Sequence, residues 1–351
     1  MQAVPIQAMN TRVVRVSTAK EYWTIVFGIW LIGGIFVDGY AHNHGVVETF
    51  FTKWHAILYS GFMVSAMWMC WLLYRSKRTT GLPWTKAAPV GYGLGLIGVV
   101  IFLLGGLFDM YWHVVFGIEQ NTAALLSPSH LMLLLGGLLI LSSPFRASWH
   151  NEKMTKPSWV EFAPAFLSLV ITVGAVSFFL MYAWAFRYNL PSASVVDWYV
   201  SHFSNGIVAE SNEMRGLTYI LLDTLIYMYP VFLLMKRWQL PFGTITLLFA
   251  IITTMMNVLD GFVYYQSIIM AGAAGLLGDL LYRYLKAGEG RIWAQRIIAG
   301  ALPIALWGFY FGYMNAVDGI GWSAELWSGS IVEATLLSLG VHFLSASKGK
   351  G

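Results

Sequence analysis

Apolar runs recur along the chain near residues 22–38, 54–74, 88–110, 126–143, 160–186, 214–235, 241–260, 265–285, 293–315 and 324–346. Each is close to the roughly 20 residues that a helix needs to cross a hydrocarbon core of about 30 Å. The stretches between them are short and polar. The pattern predicts an all-α fold, a polytopic integral membrane helical bundle of about ten transmembrane helices. The predicted organisation is a cytoplasmic N-terminal segment (1–21), two pairs of membrane helices (22–143), a six-helix membrane scaffold (144–346) with an outer loop near 187–212 containing His202, and a cytoplasmic tail (347–351).

The placement of charge gives this bundle a direction. If Lys and Arg collect on the cytoplasmic side, alternate loops carry all 21 of them except Lys53, Arg187 and Arg215. Both termini are then expected in the cytoplasm, and the odd-numbered loops face outward from a cell (inner) membrane. Residues 1–21 lack the apolar core and small-residue site of a signal peptide, so the first helix is expected to remain as an anchor. Of the 17 acidic residues, all but Glu21, Glu152, Glu161, Asp279 and Glu289 fall toward the outer side. Anionic outer loops complement a positive inner face, and they also attract cations.

Composition agrees. With 58% hydrophobic residues, a mean hydropathy of +0.64 and 16 tryptophans, the chain is too apolar for a soluble globular protein. The lipid bilayer is its expected partner, and the net charge of +4 reflects topology rather than nucleic-acid binding. A single cysteine, Cys70, excludes an internal disulfide, a thiolate zinc site and covalent haem attachment.

Against this apolar background two stretches stand out. "FVDGYAHNHGVVETFFTKWH" (36–55) and "LFDMYWHVVFGIEQNTAALLSPSH" (107–130) each end an apolar run with an acid and several histidines. Aligned, they read Asp38-x3-His42-x5-Glu48 and Asp109-x3-His113-x5-Glu119, with His55 or His130 entering the next helix. The offset is 71 residues for the first three positions and 75 for the last. Four matched polar positions point to a duplicated helical hairpin. Fainter copies, "VLDGF" at Asp260 and "AVDGI" at Asp318, end later helices without the histidines, as if tandem hairpins had kept the chemistry in the first two and become scaffold elsewhere.

An Asp and a His four apart share one face of a helix, because 3.6 residues per turn stacks i over i+4. A histidine opening the antiparallel neighbour returns to the same level. One carboxylate and two imidazoles then surround a point near the outer surface, a donor set suited to Cu, Zn, Fe or Mn. Glu48 and Glu119 are candidates for direct ligands, for acceptors that fix a histidine tautomer, or for catalytic proton relays. His44, also in the first stretch, is a further candidate ligand without a counterpart in the second. A histidine at a membrane interface also serves as a helix cap or a water site; the joint spacing, repeated twice, favours a shared cation.

"DGYAH…KWH" and "DMYWH…SPSH" resemble the copper site of the C subunit of particulate methane and ammonia monooxygenases, which carries Asp-x3-His-x12-His. Asp38, His42 and His55 keep that spacing; Asp109, His113 and His130 keep the first interval and have sixteen residues in the second. The likeness covers two windows of about 20 to 25 residues. It implies copper held by Asp, His and His, at a site oxidising a small apolar substrate with O2, in a chain that works with other membrane subunits or a periplasmic electron or copper donor. The residues themselves leave other readings open: a membrane metal transporter, store or sensor, a zinc-dependent intramembrane hydrolase using a Glu base, or haem held by two histidines.

Among the remaining polar residues, Asp223, Asp279 and Glu333 fall inside apolar runs, where a partner on a neighbouring helix or a role in proton handling is expected. His150 and His342 belong to the inner side. Met255 and Met256 read as packing residues. The pairs Gly33–Gly34, Gly105–Gly106 and Gly136–Gly137 predict close helix contacts beside the motif helices.

Overall fold

A computed structural model describes residues 14–45, 52–117, 125–203 and 206–346. Among these the chain is helical, with no strand and one isolated bridge between Ser192 and Ile320. Each predicted apolar run coincides with a helix. In chain order they are α1 (Thr18–Asn43), α2 (Lys53–Thr80), α3 (Gly93–Phe116), α4 (Pro128–Leu141), α5 (Ser143–Trp149), α6 (Trp159–Phe179), α7 (Ala185–Tyr188), α8 (Ala193–His202), α9 (Gly206–Arg237), α10 (Thr244–Val258), α11 (Gln266–Tyr284), α12 (Ile292–Val317) and α13 (Ala324–Ala346). Six helices, α1, α2, α3, α6, α9 and α12, are each long and apolar enough to cross a membrane, and α4 with α5 makes a seventh if the bent pair counts as one.

That bend has a local cause. Pro144 lies in the first turn of α5; it has no N–H to continue the helical ladder and its ring crowds the preceding turn. The axis turns by 42°. Arg146 reaches back across the break, donating to the Leu139 carbonyl at 2.7 Å and the Gly91 carbonyl at 3.0 Å.

Two expectations need correction. The predicted fifth run to 186 stops as a helix at Phe179, and the region 187–212 is not a loop: it contains the end of α7, all of α8 and the start of α9. Asp318, beyond the end of α12, accepts from the Ser194 N–H (3.1 Å) and hydroxyl (2.7 Å) in the first turn of α8, fixing that short helix to the bundle.

α6 is the centre of the packing: Phe162, Ala165, Phe166 and Val170 are buried along it. α1 packs on α2, and α3 on α4. Glycine makes both contacts possible. A Cβ at Gly34 would fall 2.5 Å from the Leu58 Cα, and one at Gly136 would fall 2.6 Å from the Phe102 nitrogen. Gly33, expected to share this role, faces open space. The hairpins meet along α2 and α3. The far side of α3 exposes Leu94, Ile97, Val100, Leu104 and Leu107, an apolar stripe at helical spacing that fits lipid contact.

Candidate metal centre

Asp38 and His42 occupy the last turns of α1, and His55 the first turn of α2; Asp109 and His113 end α3, and His130 opens α4. Helix periodicity therefore aligns each Asp–His pair, and the antiparallel neighbour brings the third side chain level with it. His42 Nε2 and His55 Nε2 each lie 3.5 Å from Asp38 Oδ2. His113 Nε2 and His130 Nε2 each lie 3.5 Å from Asp109 Oδ1. In both groups the three ligand atoms lie within 4.8 Å of one another. Atoms bound tetrahedrally about 2.0–2.1 Å from one ion sit roughly 3.4 Å apart, so the Asp–His edges already have the dimensions of a coordination shell. Both groups could hold a metal ion.

The carboxylates are enclosed, with side-chain exposures of 13% for Asp38 and 2% for Asp109, while His42 is the most open ligand at 33%. Burial of this kind makes an unmatched acceptor costly. Among the described residues Asp38 Oδ1 is buried with no hydrogen-bond partner, an acceptor that a bound cation would satisfy.

The histidines are oriented from behind. Thr52 and Ser127 are the N-cap residues of α2 and α4, each accepting from the backbone N–H of the histidine three positions on. The same hydroxyls meet the ring: Thr52 Oγ1 is 3.3 Å from His55 Nδ1, and Ser127 Oγ is 2.6 Å from His130 Nδ1. On α3, His113 Nδ1 faces the Gly117 carbonyl at 3.4 Å. A carbonyl only accepts, so this contact suits the Nδ1–H tautomer, in which Nε2 is the nitrogen that can bind a metal.

The two triads adjoin. The His55 and His113 rings have centroids 6.4 Å apart. Tyr59, one turn after His55, donates to Asp109 Oδ2 at 3.4 Å, and Ser129 donates to Asp109 Oδ1 at 3.0 Å.

His44 does not join them. It caps the end of α1, stacks on Tyr40 with centroids 4.0 Å apart and places Nδ1 2.8 Å from the Tyr40 carbonyl. Among the described residues neither Asp/His/His group includes it, and the last turn of α1 directs its ring along its own helix. Glu48 and Glu119 lie outside the described residues. Asp260, a fainter repeat copy, pairs with Arg187 at 3.1 Å. Asp279 accepts from the backbone of Ile245 (3.2 Å) and Thr246 (2.8 Å), capping α10, and Asp223 accepts from the Ala185 N–H (2.8 Å) at the start of α7. Glu333 is exposed on α13 and lies outside the bundle interior. His202 stacks on Trp198, His150 contacts the Arg146 carbonyl, and buried His342 faces Gln295 and Phe232. Met256 is buried and the Met255 tip packs at Gly174, as expected of core residues.

Thr52, Ser127, Ser129 and Tyr59 were not among the expected site residues. A signal existed for the two caps: Thr-x-x-His and Ser-x-x-His recur at the repeat offset, and a Ser or Thr at the helix start is a capping signature.

The fold and this geometry define a bundle of long apolar helices with two Asp/His/His clusters able to bind metal. Comparison with protein-family models, curated proteins and solved structures gives no match.

Proposed function

We propose that this chain is a multi-pass protein of the cell membrane, with ten spans and cytoplasmic termini, that holds copper at its outward-facing Asp/His/His sites. We further propose that it is a subunit of a copper-dependent monooxygenase-type assembly acting on a small apolar substrate. The convergence of Asp38 with His42 and His55, and of Asp109 with His113 and His130, carries the reading. The donor set is oxygen and nitrogen without thiolate, and the sites lie at the ends of helices with lipid-apolar flanks. The Asp-x3-His-x12-His spacing of the first site supports copper over other metals that suit the same donors.

Bound copper would supply reaction with O2. The protein's part is to present three Nε2/Oδ ligands in fixed orientation, through the Thr52 and Ser127 hydroxyls and the helix register. The apolar flank of α3 offers a route for a substrate dissolved in lipid. A transport reading calls for a ligand group deeper in the bundle; among the described residues interior Asp279 caps α10, Asp223 accepts from the Ala185 N–H, and neither belongs to a group of three ligating side chains.

Elemental analysis of the natively purified protein, with His42→Ala and His113→Ala alongside, tests the reading. Copper in the wild type and its loss from one or both variants are expected. Full retention of metal by both variants, or a wild type that takes up none, overturns it.

A further inference from the structure

Tyr59 belongs to the helix of the first site and reaches the carboxylate of the second. Its hydroxyl donates to Asp109 Oδ2 at 3.4 Å, while Asp109 Oδ1 faces both histidines of its own triad. Its ring is seated by the absence of a side chain on α3: a Cβ at Gly106 would fall 2.8 Å from Tyr59 Cε1. The phenol also adjoins His55, with centroids 6.3 Å apart.

The consequence is an asymmetry between the sites. Asp109 has a protein donor on each oxygen, Ser129 on Oδ1 and Tyr59 on Oδ2. Asp38 has a buried Oδ1 with no hydrogen-bond partner among the described residues. A carboxylate with its outer oxygen held by a donor offers one oxygen to a cation; a carboxylate with a bare second oxygen can offer two. Partners that orient a ligand in this way set roughly 10- to 100-fold of metal affinity.

We propose that Tyr59 is a positioning residue that holds Asp109 as a one-oxygen ligand and makes the second metal site tighter and more rigid than the first. This rests on the metal-site reading above. It also makes α2 a shared wall: one helix supplies His55 to the first site and steadies the carboxylate of the second.

Single-site proteins separate the two contributions. Asp38→Ala leaves only the second site and Asp109→Ala only the first, and each is titrated with Co(II), whose visible d–d bands report coordination geometry. Wild-type Tyr59 is expected to give tighter Co(II) binding in Asp38→Ala than in Asp109→Ala. Adding Tyr59→Phe, which keeps the ring and removes the hydroxyl, is expected to weaken Co(II) binding at least tenfold and shift the bands in Asp38→Ala. The same change in Asp109→Ala is expected to alter affinity less than twofold. Gly106→Ala, which displaces the ring from α3, is expected to reproduce the loss at the second site. Melting of the metal-free proteins identifies any general loss of fold, which would move both backgrounds alike. Unchanged affinity and spectrum on adding Tyr59→Phe to Asp38→Ala overturn the role of Tyr59. Absence of Co(II) uptake by both single-site proteins overturns the metal-site reading itself.

Discussion

At the scale of single residues, the site is built twice from the same device: a helix-capping hydroxyl that also touches an imidazole. Thr52 and Ser127 each hold a backbone N–H and face a ring nitrogen of the same histidine. Removing such a cap typically costs about 1 kcal/mol of stability, and removing a ligand's orienting partner costs roughly 10- to 100-fold in metal affinity. Ser127→Ala is therefore expected to weaken metal binding far more than it lowers thermal stability, since the Ser127–His130 contact is short at 2.6 Å. Titration of Asp38→Ala with and without Ser127→Ala, beside their melting curves, checks this; equal affinities would leave Ser127 a cap alone. The convergence of the six candidate ligands was legible in the sequence because i,i+4 spacing carries geometry directly. Tyr59 was not, since its contact with Asp109, 50 residues on, crosses between hairpins and depends on Gly106, with no motif to link them. His44 shows the converse: it shares the stretch with the ligands, but its angular position on α1 sends it to Tyr40.

At the scale of elements, carboxylates that look alike in sequence divide into candidate ligands and helix caps. Asp279 accepts two backbone N–H groups and the Thr246 hydroxyl at the start of α10, the shortest of the helices matched to predicted apolar runs if α4 and α5 are taken as one. Asp279→Ala is expected to cost about 1–3 kcal/mol, as buried donors lose their acceptor, without changing metal content; thermal unfolding and elemental analysis together test both halves. Asp318 does the same for α8 at a solvent-exposed site. The hydrogen bonds from Ser194 hold its pKa below the ordinary carboxylate value. Because the folded-state pKa is the lower one, the stabilisation is present above the unfolded value of about 3.9 and is lost as pH falls through the folded value. The stability difference between wild type and Asp318→Asn is thus expected to be constant near neutrality and to shrink below about pH 4, as read from melting temperatures across pH; a difference independent of pH would remove Asp318 from the account. Helix positions were legible from apolar runs of the right length. α8 was not, because ten residues mixing Val, Trp, Tyr, Ser and Asp show neither a membrane run nor a clear stripe. The α4–α5 break was hidden inside an apolar run and is signalled only by Pro144.

At the scale of the whole molecule, polar contacts sort to two ends. One end holds both triads, the Arg187–Asp260 pair, the Asp318–Ser194 clasp and the Asn43 side chain on the Leu259 carbonyl (3.3 Å). The other holds Arg15 on the His150 carbonyl (2.6 Å), Arg237 on the Trp149 carbonyl (2.9 Å) and Lys236 on the Ser345 carbonyl (2.7 Å). Six long helices, and the bent α4–α5 pair as a seventh, have the length and apolarity for a passage between these ends. The proposed ten-span arrangement adds α10, α11 and α13 as passages and puts the basic end in the cytoplasm. Two exposed, uncharged positions distinguish the ends without disturbing the charge bias: Ser201 near the end of α8 and Thr79 near the end of α2. In a Cys70→Ser background, Ser201→Cys is expected to react with a membrane-impermeant maleimide on intact cells, and Thr79→Cys only after the membrane is opened. An odd number of passages, α3, α4 with α5, and α6, separates the two positions, so labelling of both from one side would break the ten-span arrangement. Labelling of Thr79→Cys alone from outside would keep the spans and invert them. The triads would then face the cytoplasm, where a periplasmic copper or electron donor could not reach them.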